Sequence, residues 1–351
     1  MGQRGRFGRY PMHWHIAGDR AGNYLIASTI NRSFQRAAVI HSTHNVLLDA
    51  NIAYDISNHA FVWAEDGDEF GNQLTRNVGA LIRSPAPQHF AFPINNPFHG
   101  NNSQDEHRSS VFWGRSFDRM VLTGNISAGA LDGFGYFFDL FSPAPFGADE
   151  GAGLVFDGNT AHSTYKTLAT GNQINYPEST TGHGLMVSTG SSGLRDHVFR
   201  NYTGFHNVSG AWLEDRRMQL RDSILADNGV GLMVLRSLID GNVIVGESAN
   251  PIPAQPTTPS VSTNLTAGIQ VAGSNHGGKR APIVRNTTLI NQSGTGILWD
   301  LDNMSPAAQF ENLSFINTPQ RIVIHDPINF EFAEPPTFGL SDPDGLSLIH
   351  I

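Results

Sequence analysis

The chain has 351 residues, 39% apolar but only 15% charged, with 37 glycines and no cysteine. That profile excludes disulfides and thiolate chemistry, and scarce helix formers, with lysine only at Lys166 and Lys279, argue against a helical protein. A formal charge of −9 argues against nucleic acid as a partner, and no apolar run is long enough to span a bilayer.

Read in chain order, the opening residues 1–10 are basic with no apolar core behind them, so they are not read as an export signal. In PMHWHIAGD (11–19), strand alternation places Met12, Trp14 and Ile16 on one face and His13 with His15 on the other. AAVIHSTHN follows with His41 and His44, then NHAFVWAEDGDE with His59, Glu65 and Asp66. From there two phrases alternate to the end. One carries an asparagine between apolar stretches: LLDANIAYD at Asn51, QLTRNVGAL at Asn77, VLTGNISAG at Asn125 and LVFDGNTAH at Asn159. It continues at Asn201, Asn242, Asn286 and Asn312, with Asp222 in the same place and Asn31 as an earlier copy. The other is a small residue followed by an apolar run, as in GFGYFFDL (133–140), GHGLMVST (182–189) and GVGLMVLR (229–236).

Intervals of 20, 26, 21, 20 and 26 residues separate Asn31 from Asn51, Asn51 from Asn77, Asn201 from Asp222, Asp222 from Asn242, and Asn286 from Asn312. Gaps near twice that, such as 48 from Asn77 to Asn125, fit either two turns or one turn plus an inserted loop. A repeat of this length built from short strands predicts an all-β, single-stranded right-handed parallel β-helix over 1–325. The Pro-rich stretch 326–351 is expected to be a terminal cap or tail. Loops rich in Pro, Gly and Asn interrupt the coil at 84–107, 142–152, 163–181 and 249–263. The recurring asparagine is expected to form a stacked ladder at coil bends, where left-handed backbone is tolerated.

If the early phrases stack from coil to coil, His13, His15, His41, His59 and the Glu65/Asp66 pair approach one another on an outward face. Such a group can act as acid and base, and His13, His15 and His41 can hold a divalent metal, Zn or Ca. Farther along, Asp139, Glu214, Asp215, Arg216 and Arg236 continue the stripe, and Trp113 and Tyr136 are candidate sugar-stacking aromatics.

The segments RYPMHWHIAGD (9–19), SFQRAAVIHSTHNVLLDANIAYD (33–55) and NHAFVWAEDG (58–67) resemble the β-helical region of the cell-migration-inducing and transmembrane hyaluronidases and their fibrocystin-like relatives. So do SSVFWGRSFDRMVLTGNISAG (109–129) and GAWLEDRRMQLRDSILADNGVGLMV (210–234). The resemblance implies an extracellular or cell-surface β-helix acting on glycosaminoglycan-like chains, with the export signal and the family's preceding G8 domain outside this sequence. It places His13, His15, His41, His59, Glu65 and Asp66 at family-pattern positions. Where animal members tend to carry arginine in the GAWL phrase, Glu214 stands here, which favours a less anionic polysaccharide.

Three functions are expected in order. The first is cleavage of an acidic polysaccharide by a carboxylate pair drawn from Glu65/Asp66 and Glu214/Asp215. The second is a lyase with a His or Arg base, a metal or arginine neutralising the uronate. The third is a non-catalytic β-helix that binds glycan or protein. The sequence does not determine oligomeric state.

Overall fold

The computed structural model describes residues 8–63, 68–83, 109–115, 118–131, 133–140, 153–165, 182–189, 197–214, 218–248, 267–271, 282–300 and 308–325. Among them there is no helix, and every paired strand is parallel. The chain divides into two compact units, Met1–Arg195 and Asp196–Ile351. The expected tail at 326–351 lies outside the described residues.

In the first unit each coil contributes one strand to each of three sheets. The first sheet runs Met12–Asp19, Ala38–His44, Phe61–Trp63, Ser110–Gly114, Phe134–Leu140 and His183–Thr189. The second begins with Tyr24–Ile26 and Leu47–Asp49, the third with Thr29–Asn31 and Ile52–Ser57. The second unit repeats the plan: its first sheet runs Ser209–Leu213, Val230–Val234, Ala267–Val271, Thr295–Asp300 and Gln320–His325. Both units are thus parallel β-helices, as the repeat predicts. Thr75 pairs directly with Thr123, so the 48-residue interval is one coil carrying an inserted loop.

Equivalent side chains stack along the axis and fill the interior. In the first unit Leu48, Leu74, Leu122 and Phe156 form one buried column, and Phe61, Phe112 and Tyr136 another. The Phe61–Phe112 and Phe112–Tyr136 rings lie parallel with centroids 5.1 and 4.7 Å apart. Gly114 is where it is because the buried Trp63 indole lies against it; a Cβ there would stand 2.2 Å from Trp63 Cε2. Trp63 is therefore a core group.

The polar counterpart of these columns is an amide ladder at the bend between the second and third sheets. Asn51, Asn77, Asn125 and Asn159 are each at most 1% exposed. The backbone N–H and the Nδ2 of each donate to Oδ1 of the next: 3.0 and 2.9 Å from Asn51 to Asn77, 2.9 and 3.1 Å from Asn77 to Asn125, 2.9 and 3.0 Å from Asn125 to Asn159. Their Nδ2 groups also donate backward to the carbonyls of Leu25, Leu48, Leu74 and Leu122.

The structure corrects two expectations about this ladder. Asn201, Asp222, Asn286 and Asn312 do not occupy the buried position. They sit one residue earlier, exposed, at φ of 48° to 50°, and Tyr202, Ser223 and Thr287 follow them into the interior. In the first unit Ala50, Arg76, Gly124 and Gly158 hold that left-handed place. Asn suits both adjacent positions, one for its amide and one for its tolerance of positive φ, so the one-letter pattern slipped by a residue. Asn31 ends a strand, and Ser28 meets the ladder instead, its N–H donating to Asn51 Oδ1 at 3.0 Å.

Asp49, just before this bend, takes bonds from Arg76 through both Nε and a terminal nitrogen, and from the Thr75 hydroxyl. Arg76 first, then Thr75, hold its carboxyl below the ordinary carboxylate value. A folded-state pKa below the unfolded one adds stability above about pH 4, which is lost as pH falls through the folded value. Asp49→Asn should accordingly lower the thermal midpoint at neutral pH, and the deficit should shrink in acid, as paired melts at the two pH values will read.

The two kinds of asparagine should also separate in urea titrations. Asn125→Ala strands the Asn77 donors and the Leu74 carbonyl inside the coil and should cost about 3 kcal/mol. Asn286→Ala, at an exposed bend, should cost about 1 kcal/mol or less.

Candidate functional site

The histidines lie on the first sheet of the first unit. His15 pairs in register with His41, and His13 with Val39. The His13 and His15 ring centroids are 5.0 Å apart, those of His15 and His41 4.8 Å, and those of His13 and His41 6.2 Å with the planes 9° from parallel. The i, i+2 spacing brings His13 and His15 to one face, and coil stacking adds His41. His15 is exposed, and His13 and His41 are half-buried.

A carbonyl only accepts, so the 3.1 Å contact of His13 Nδ1 with Gly8 O puts a proton on Nδ1. The other ring nitrogen, Nε2, is buried. Tyr10 packs edge-on against His13 at 4.9 Å. The buried Arg36 guanidinium lies 5.4 Å from the Tyr10 ring and 5.0 Å from that of Trp113. At the next bend His44 stacks on Phe70 at 4.0 Å, and Arg119 lies 4.4 Å from the same ring.

The strand carrying these groups is not regular. Its pairing shifts between His15 and Gly18. Ile16 has φ 49°, and Ser42, the residue after His41, has φ 41°. Simple alternation put Ile16 with Met12 and Trp14; the bulge turns it out instead, 63% exposed. The Ser42 N–H donates to Oε1 of the buried Glu69 at 3.2 Å. The Ala17 N–H donates to Thr43 Oγ1 at 3.1 Å, and that hydroxyl donates to the His41 carbonyl at 2.8 Å. Glu69 and Arg36 were missed in the sequence. Glu69 is one of several acids in EDGDE, and nothing but its burial sets it apart.

His59 is fully buried, stacked on Trp113 at 4.5 Å. Its Nδ1 accepts the Ser110 N–H at 3.0 Å, with the Ser110 hydroxyl at 2.8 Å, so it serves the packing of the coil. Trp113 is 2% exposed, shielded between His59 and two guanidinium groups. Tyr136 is a correction: it faces the interior, fully buried, and its hydroxyl donates to the Asn125 and Thr160 carbonyls. It offers no face to a sugar. Glu214 and Arg236 belong to the second unit, both half-buried. Glu65, Asp66, Asp215, Arg216 and the Asp139 side chain lie outside the described residues.

As a metal site, the three imidazoles have the chemistry for zinc more than for calcium, which takes oxygen ligands. As the rings stand, no group of three His, Asp or Glu among the described residues is arranged to hold an ion.

Stability separates the two kinds of histidine. His59→Ala should lower unfolding free energy by about 2–4 kcal/mol, through the lost ring contact and the stranded Ser110 N–H. His15→Ala should change it by less than about 0.5 kcal/mol. Denaturant midpoints of the two variants decide.

Comparison with known proteins finds that the family model described as CEMIP beta-helix matches residues 1–185. The chain is 35% identical to Fibrocystin-L of Mus musculus over 153 residues, covering 36% of this chain and 3% of that protein. It is 26% identical to the Homo sapiens protein named Cell surface hyaluronidase CEMIP2 over 276 residues, 66% of this chain and 20% of that protein. It thus spans a fifth or less of the length of these relatives. Among solved structures, the A-module of the Azotobacter vinelandii mannuronan C-5 epimerase AlgE4 aligns over 89% of this chain and 86% of its own, at 13% identity and a TM-score of 0.45.

Proposed function

The chain belongs to the CEMIP β-helix family, and on that footing we propose that it is an extracellular or cell-surface protein that cleaves an acidic, glycosaminoglycan-like polysaccharide at the His13, His15 and His41 cluster. The observation that carries this reading is the convergence of three imidazoles within 4.8–6.2 Å on one sheet face. A relative named for hyaluronidase activity supplies the substrate class.

Cleavage by hydrolysis forms a bond from water oxygen to the anomeric carbon and breaks the glycosidic C–O bond. One proton leaves the water and one reaches the departing oxygen. An imidazole can take up or give a proton at a ring nitrogen, so neighbouring rings can serve as base and acid. His15, the exposed ring of the three, is suited to accept the water's proton. His41 then gives a proton to the leaving group.

A lyase is the second reading, and Arg36 favours it. The Arg36 guanidinium lies over the Tyr10 ring that packs on His13, and a cation there raises the local positive potential, which favours loss of the proton beside a uronate carboxylate. An imidazole removes that proton, a C=C bond forms, and the glycosidic bond opens toward the departing oxygen. A divalent metal taken up by reoriented imidazoles would assist either route as a Lewis acid.

Incubation with hyaluronan, chondroitin and a neutral glycan, followed by reducing-end and unsaturated-uronate absorbance assays, tests these readings. Release of reducing ends without the chromophore supports hydrolysis, and the two together support elimination. His41→Ala and His15→Ala should each lower turnover by a factor of about 10²–10⁴ with unchanged thermal midpoints. Partial recovery with added zinc would assign a metal, and loss of activity in a chelator would agree with it. If reducing ends appear on no glycan, cleavage is rejected and the chain is a binding module. Full activity in both variants would move the site away from the cluster.

A further inference from the structure

The same irregularity follows each of two aligned histidines. His15 is followed by Ile16 at φ 49°, and His41, its partner in register, by Ser42 at φ 41°. A β-branched residue in the left-handed region is a true outlier, because its Cβ crowds the following carbonyl. Ile16 gains no burial there, being 63% exposed. Left-handed residues recur at the coil bends and also within third-sheet strands, at Asp55, Leu81 and Gly129; these two lie within first-sheet strands, Met12–Asp19 and Ala38–His44. Bulges of this kind re-aim the neighbouring side chain and persist only when the surroundings hold them.

The holding contacts run from coil to coil. Glu69, in the third coil and fully buried, accepts the Ser42 N–H of the second at 3.2 Å. Thr43, also fully buried, bonds the His41 carbonyl and accepts the Ala17 N–H of the first coil. A fully buried carboxyl is costly to keep without hydrogen-bond partners. We propose that Glu69 is a positioning residue: by clamping the bulge at Ser42 it aims His41, and through Thr43 it aims His15, so that their rings meet at 4.8 Å. The proposal rests on the histidine cluster being the working site.

The step from carboxylate to ring is testable apart from turnover. Imidazole cross-peaks of His15 and His41 in the full chain, at fixed pH, report ring placement directly. Kinetics on hyaluronan report its use. Glu69→Ala should displace both sets of cross-peaks and lower kcat about a hundredfold while KM stays within about twofold. Glu69→Gln keeps an oxygen acceptor and should leave the cross-peaks near wild type, with kcat reduced only severalfold. Glu69→Asp keeps the charge but withdraws it by one methylene, and should behave like Glu69→Ala. Adding Ser42→Gly to Glu69→Ala should restore part of the rate, because glycine takes the positive φ unaided.

Unmoved His15 and His41 cross-peaks in Glu69→Ala would overturn the proposal. So would a wild-type Glu69→Asp beside a crippled Glu69→Gln, which would mean that charge matters and position does not. Should Glu69→Ala not fold, the Gln and Asp variants separate position from charge without it. Should the wild-type chain cleave no glycan, the function reading fails, while the cross-peaks still decide whether Glu69 places the rings.

Discussion

The asparagine ladder between the second and third sheets is the constraint on which the first unit depends. A bend in every coil leaves backbone donors and carbonyls inside the protein, where no water meets them, and each unpaired one costs about 1–3 kcal/mol. A side-chain amide carries donor and acceptor together, so Asn51, Asn77, Asn125 and Asn159 satisfy one another and the leucine carbonyls behind them. The ladder keeps these coils in register. Once Asn77 lies over Asn51, Leu74 lies over Leu48 and Gly79 over Ala53.

The same stacking that satisfies the bend gathers the histidines. His15 and His41 meet because their coils are in register, and the face they occupy is set by the pleat. The three rings use exposed and half-buried positions, whereas His59, Trp113 and Tyr136 sit where the coil needs bulk. Replacing a ring of the first kind leaves the columns of Leu, Phe and Asn untouched.

Much of this was legible in the sequence, because a solenoid writes its contacts as a period. The 26-residue step from Asn51 to Asn77 gave the coil, and HxH followed by His41 gave the cluster. What failed did so for physical reasons. Asn fits two adjacent positions of the bend, so Asn201 and Asn286 were read as ladder members when they are left-handed bend residues. Tyr136 and Trp113 are aromatic whether they meet a sugar or a core, and only burial tells these apart. Ile16 and Ser42 carry no signature of a bulge, since a strand's period is read from residue type and positive φ is not. Glu69 was hidden among neighbouring acids for the same reason. Its partner is a backbone N–H, which leaves no trace in the one-letter code.

Neighbouring coils differ in length while their strands remain in register: Leu48 meets Leu74 after 26 residues, Leu74 meets Leu122 after 48, and Leu122 meets Phe156 after 34. Register is therefore re-established at every bend and keeps no memory of what was inserted before it. Length change in such a chain is quantised. Excising one whole coil, from Asn51 to Arg76, would bring Asn77 into the place of Asn51 with its ladder partner already beside it. Excising a single residue within a strand would turn every later side chain of that strand to the opposite face. Longer loops cost the coil little, since closure entropy grows only slowly with length, so such a scaffold can acquire new walls around a fixed set of imidazoles without renegotiating its core.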